Sequence, residues 1–114
     1  MVIPIGPIGP SLYNTCTYAD FVAIAEVTVL PVYTLQQASG WQQAYQSFIN
    51  YQWNNYSANP QLTHAVVGCK WIHYRTNHWI AQLANLTPGT YNYNLKQAKI
   101  SWGNKAYKYC CASG

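Results

Sequence analysis

Charge is what this sequence has least of. Six Lys and Arg with two Asp and Glu make up 7% of 114 residues, whereas a soluble globular chain carries about 25%. That scarcity excludes several classes at once. Disorder requires low hydrophobicity and high net charge, yet half of these residues are hydrophobic, with eleven Tyr and five Trp, so the chain is expected to fold. A phosphate-tracking groove requires a dense basic patch. A formal charge of +4 over the whole chain therefore argues against nucleic acid as a partner. Long apolar runs are also lacking, and no stretch approaches the ~20 residues that cross a bilayer. The N-terminal run from Met1 to Pro10 has no basic segment and holds three prolines, so it does not read as a signal peptide. It reads as an extended arm over residues 1–12, followed by a single globular domain over 13–114 with one hydrophobic core.

The polar surface must then consist of amides and hydroxyls, as in Gln42-Gln43, Asn54-Asn55 and Tyr91-Asn92-Tyr93-Asn94. Tyr supplies contact area at low rotamer cost and Asn supplies adaptable hydrogen bonds, so such surfaces suit partner contact. An extracellular, acidic or high-salt setting is the other source of a surface poor in charge. Four cysteines allow three pairings, and an even count in a short chain points to an oxidising location. Adjacent Cys110 and Cys111 do not readily bond to each other, so each is expected to reach a different partner. Asn55-Tyr-Ser57 and Asn85-Leu-Thr87 match the glycosylation sequon, a pattern short enough to arise by chance in an Asn-rich chain.

Local patterns predict an α+β fold, with one amphipathic helix near 38–56 and mainly antiparallel sheet, or a sandwich, in the second half. Thr17-Tyr-Ala-Asp20 has the form of a capping box. Val27-Thr-Val29 before Pro31 has the branched residues and terminator of a strand, so a short helix or turn leading into a strand is expected there. Trp41, Ala44, Tyr45, Phe48, Ile49 and Tyr56 fall at helical spacing. Gln42, Gln46, Asn50 and Asn54 lie on the other side without a single charge. A solvated helix face normally carries Lys and Glu, so this one is expected to be covered by a partner. Farther on, 65–74 and 78–83 read as a hairpin turning at Arg75-Thr76, which would place His73 opposite His78 and Trp71 opposite Ile80. Pro88-Gly89 marks a turn. A second hairpin at Gly103-Asn104 would set Ile100, Trp102, Tyr107 and Tyr109 on a core face and Lys99 with Lys108 on a solvent face.

Leu86-Thr-Pro-Gly-Thr-Tyr91 resembles the Leu-x-Pro-Gly-x-Tyr tyrosine corner of fibronectin type III-like sandwiches. Over residues 86–104 the chain also resembles jelly-roll tips of viral and phage fibres and C1q-like trimer heads. The resemblance implies structural roles for Pro88, Gly89 and Tyr91. With the arm and the uncharged helix face, it implies a virion or extracellular assembly protein, such as a capsid, decoration or fibre subunit, that contacts copies of itself or other structural proteins.

Three chemical alternatives remain. Cys16, His64 and Asn85 faintly resemble the nucleophile, base and orienting residues of papain-like or cell-wall-amidase-like cysteine hydrolases. Cys69, His73 and His78 would share a sheet face as metal ligands, although no CxxC spacing supports zinc, and no cofactor is expected. A secreted domain that stacks exposed Trp and Tyr on carbohydrate is the third.

Overall fold

A computed structural model of the chain describes residues 12–35, 39–58 and 66–113. The elements run β1 (Leu12–Asn14), α1 (Tyr18–Thr28), α2 (Leu30–Tyr33), α3 (Trp41–Tyr56), α4 (Cys69–Leu83), α5 (Tyr91–Cys110) and β2 (Cys111–Ser113). The fold is therefore helical, not a sandwich. Strand pairing among the described residues is confined to a three-residue antiparallel clip, with Leu12 against Ser113, Tyr13 against Ala112 and Asn14 against Cys111. Apart from Leu12, the expected N-terminal arm lies outside the described residues.

Both expected hairpins are single helices. In α4, Cys69, Ile72, Thr76 and Trp79, four of its five buried residues with Trp71 beside them, recur every three or four residues, a period that a helix satisfies and an alternating strand does not. In α5, Ala98, Trp102, Ala106 and Cys110 are buried at four-residue spacing. Tyr109, expected in the core, is exposed, while Ala106 on the same helix is fully buried. The Tyr, Trp and Ile content of these segments favours strands by at most ~1 kcal/mol per residue, and that preference depends on context. Burial of a complete helical face outweighs it. The β-sandwich implied by the fibre-tip resemblance is therefore not the fold of this chain.

Other local signals have the predicted form. Thr17 and Asp20 close a capping box over α1, with Asp20 Oδ2 accepting from Thr17 N at 2.8 Å. The strand expected after it is absent: α1 continues to Thr28, and Pro31 lies in the first turn of α2, where its missing N–H has no cost. The predicted helix near 38–56 begins at Trp41. The Pro88-Gly89 turn is present, with Thr90 N donating to Thr87 O at 3.3 Å and Gly89 at φ 87°, a conformation disfavoured for residues with a Cβ. The turn leads into a helix and not a strand. Thr90 caps that helix by accepting from Tyr93 N at 3.2 Å, so Tyr91 opens α5 instead of forming a sandwich corner.

An aromatic centre holds the helices together. Phe21 of α1 lies 4.8 Å from Tyr56 and 5.0 Å from Trp102, and Phe48 of α3 lies 5.5 Å from Trp102 and 5.7 Å from Trp79. Such contacts contribute about 0.5–1.5 kcal/mol each beyond area burial. Next to Tyr56, disulfides join Cys16 to Cys110 and Cys69 to Cys111, so the two adjacent cysteines do reach different partners. They span 94 and 42 residues of sequence, loops for which the chain-entropy model gives on the order of 4 kcal/mol each.

The most extensive helix contact, α4 with α5, depends on Gly103. The residue that reads as a hairpin turn allows close helix approach instead, because a Cβ there would overlap Thr76 Oγ1 and come within 2.9 Å of Thr76 Cβ. Gly103→Ala is expected to destabilise the fold by about 1–3 kcal/mol by overpacking, although Ala is the better helix former. Urea denaturation measures this, and an unchanged or higher midpoint would contradict the seam.

Candidate functional site

Helix α3 contains no charged residue along its sixteen positions. Gln42, Gln46, Asn50 and Asn54, spaced by four, form one side of it, and all four are exposed. Tyr18, from the first turn of α1, reaches across this side. Its hydroxyl donates to Asn50 Oδ1 at 2.9 Å and accepts from Gln46 Nε2 at 2.6 Å, and Gln46 Nε2 also donates to Asn50 Oδ1 at 3.0 Å. The three side chains hold one another in place, backed by Trp53 against the Tyr18 ring at 6.0 Å. Sequence spacing places the four amides together; it does not reveal Tyr18, which joins them from 28 to 32 residues away.

Around the same helix lies a cleft of about 370 Å³, bounded by Tyr33 of α2, Ala44, Ser47, Phe48, Tyr51 and Gln52 of α3, Arg75 and Trp79 of α4, and Lys99 of α5. The Arg75 guanidinium sits 5.4 Å from the Trp79 ring centre and Lys99 Nζ 5.6 Å from that of Phe48. Gln52 is occupied, its Oε1 accepting from Trp71 Nε1 at 2.9 Å. Burial lowers the Lys99 pKa to about 8, with the charges of Lys96 and Arg75 adding to the effect. Lys96 is lowered in the same way, by burial and then by Arg75. Tyr33 is raised to about 12, chiefly by burial. Neither acidic residue of the chain lines the cleft. Six cations against two carboxylates announce that some cations go unpaired, but which ones depends on the packing.

The other sequence candidates do not converge. Lys99 and Lys108, expected together on a wet face, are nine residues apart on α5, about half a turn around. Lys108 is exposed, while Lys99 is drawn in against Phe48. Cys16 has no thiol, being bonded to Cys110; His64 lies outside the described residues; and Asn85 is exposed in the α4–α5 connection. Cys69 is bonded to Cys111. His73 and His78 do not share a face, since five residues turn a helix by about 140°. His73 lies 6.1 Å from the Tyr107 ring, and His78 stacks on Tyr74. Among the described residues no three His, Cys, Asp or Glu are grouped to hold a metal, and no helix is long and apolar enough to cross a membrane. Tyr18, Tyr51, Tyr74 and Tyr109 are exposed, whereas none of the five Trp is. Comparison with protein-family models, with curated proteins and with solved structures finds no match, so function is read from this geometry alone.

The cleft has a thermodynamic signature. A lysine whose folded pKa lies below its unfolded value destabilises the fold while protonated, and the penalty is relieved as pH rises from the folded toward the unfolded pKa. For Lys99 that window runs from about 8 to about 10.4. Tyr33 acts oppositely: its contribution is complete below about 10 and is lost as pH rises toward 12. Unfolding free energy is therefore expected to climb from pH 8, by on the order of 2 kcal/mol for Lys99, and to fall above pH 10. Denaturant titration across this range measures it, and Lys99→Met should flatten the climb.

Proposed function

We propose that this domain is a non-catalytic binding module of an oxidising compartment that associates with further copies of itself through the uncharged face of α3. The observation that carries the reading is the Tyr18–Gln46–Asn50 network on a helix with no charge. Amide and hydroxyl groups both donate and accept, so such a face can pair with its own copy across a two-fold axis. A face of Lys or Glu would repel its own copy. The mutual hydrogen bonds already restrict the rotamers, which reduces the entropy lost on docking. Keeping charge off this side also lets molecules of net charge +4 approach with little local repulsion. Support for the compartment comes from the two disulfides and the absence of any free cysteine, a pattern of oxidising environments.

Size-exclusion chromatography with light scattering tests the reading. The wild-type chain is expected to self-associate with rising concentration. Gln46→Lys, which places a cation on both sides of the contact, should weaken association by about tenfold or more while leaving the circular dichroism unchanged. A wild-type chain that stays monomeric at high concentration would refute self-association.

A further inference from the structure

Three of the six basic residues, Lys70, Lys105 and Lys108, are exposed in the ordinary way, whereas Arg75, Lys96 and Lys99 are half-buried and close together on α4 and α5. Lys96 has a neutral partner, its Nζ donating to Gln82 Oε1 at 2.8 Å. Arg75 and Lys99 both line the cleft beside α3, and the contacts their charged groups make there are with the Trp79 and Phe48 rings. A cation removed from water is costly unless an anion or a set of acceptors replaces its hydration, and this cleft contains no carboxylate. Arg75 Nε and Trp79 Nε1, like Thr76 Oγ1, are buried with no hydrogen-bond partner among the described residues. Native structures leave few buried donors unsatisfied.

We propose that the cleft between α2, α3, α4 and α5 is a binding site for a small organic oxyanion, a carboxylate or phosphate carried on a flat aromatic body. The oxyanion would lie between the Arg75 guanidinium and Lys99 Nζ, the two cations that line the cleft. A guanidinium fork suits both carboxylate and phosphate geometry. The walls select the body of the ligand: Tyr51 is 53% exposed and offers an open ring, beside the small uncovered parts of the buried Tyr33, Phe48 and Trp79, and offset or edge-on ring contacts are favourable. The volume of about 370 Å³ lies in the range of small-molecule sites. The arrangement keeps uncompensated cations in the fold and so lowers the stability of the empty protein, which is expected of a site whose missing counter-charge comes with its ligand. The site is independent of self-association through Gln46 and Asn50.

Calorimetry and ¹H–¹⁵N NMR with phenyl phosphate, benzoate, inorganic phosphate and the neutral ring compound benzyl alcohol test the proposal. At least one aryl anion is expected to bind below about 1 mM and about tenfold or more tighter than inorganic phosphate or benzyl alcohol. The better aryl anion identifies the headgroup. Binding should move the Trp79 indole N–H resonance, while that of Trp102, which donates to Phe21 O at 3.4 Å and does not line the cleft, serves as an internal control in the unmutated protein. Lys99→Met should abolish binding and raise the melting temperature of the ligand-free protein, because it removes a half-buried charge; a merely structural lysine would lower it. No aryl-anion binding at about 10 mM, equal affinity for inorganic phosphate, or an unmoved Trp79 N–H would overturn the proposal.

Discussion

Four segments of the chain meet where α5 ends. The Cys110 carbonyl accepts from the Tyr56 hydroxyl at 2.7 Å and from Thr15 N at 3.0 Å, and Cys16 N donates to the same Tyr56 oxygen at 3.1 Å. Cys110 is bonded to Cys16, and its neighbour Cys111 to Cys69 at the start of α4. The last turn of α3, the chain before α1, the start of α4 and the end of α5 thus share one cross-linked junction. The other helix contacts are built outward from it. Tyr56 is 1% exposed, so its hydroxyl has to be satisfied internally, and the backbone at Cys16 and Cys110 does so.

From that junction the shortage of charge becomes a spatial arrangement. One carboxylate, Asp20, is used in capping α1, and three cations remain on the outside. Helix α3 divides the two remaining behaviours. One side presents amides, two of which, Gln46 and Asn50, are held by Tyr18; another forms the wall of a cleft into which Arg75 and Lys99 are drawn without a counter-charge. The first side suits a protein surface that must not repel its own copy. The second suits a ligand that supplies the missing anion. Neither requires the cysteines to act chemically, since all four are committed to holding the junction.

Signals that depend on a few adjacent residues are legible in the sequence. The Thr17–Asp20 capping box, the Pro88-Gly89 turn, the α3 pattern and the divergent partners of Cys110 and Cys111 arise from local stereochemistry, and so does the uncharged stripe of Gln42, Gln46, Asn50 and Asn54. The second half misleads for an identifiable reason. Trp71, Ile72, Tyr74, Ile80, Ile100, Trp102 and Tyr107 are residue types common in strands, and apolar residues occur at enough positions to fit either a two-residue or a 3.6-residue period. Gly103 reinforces the error, because a glycine needed for a turn and a glycine needed for close packing look identical in one dimension.

The sequence by itself determined that the chain folds, where one helix and one turn lie, and which side of that helix is free of charge, because each depends on composition or on contacts within about one helical turn. Only the tertiary structure decided that α4 and α5 are helices, that Gly103 admits Thr76, that Tyr18 locks Gln46 and Asn50, and that Arg75 and Lys99 share one cleft. These are contacts between segments far apart in the chain. Their energies come from burial and from charges gathered in space, which no local pattern of residues encodes.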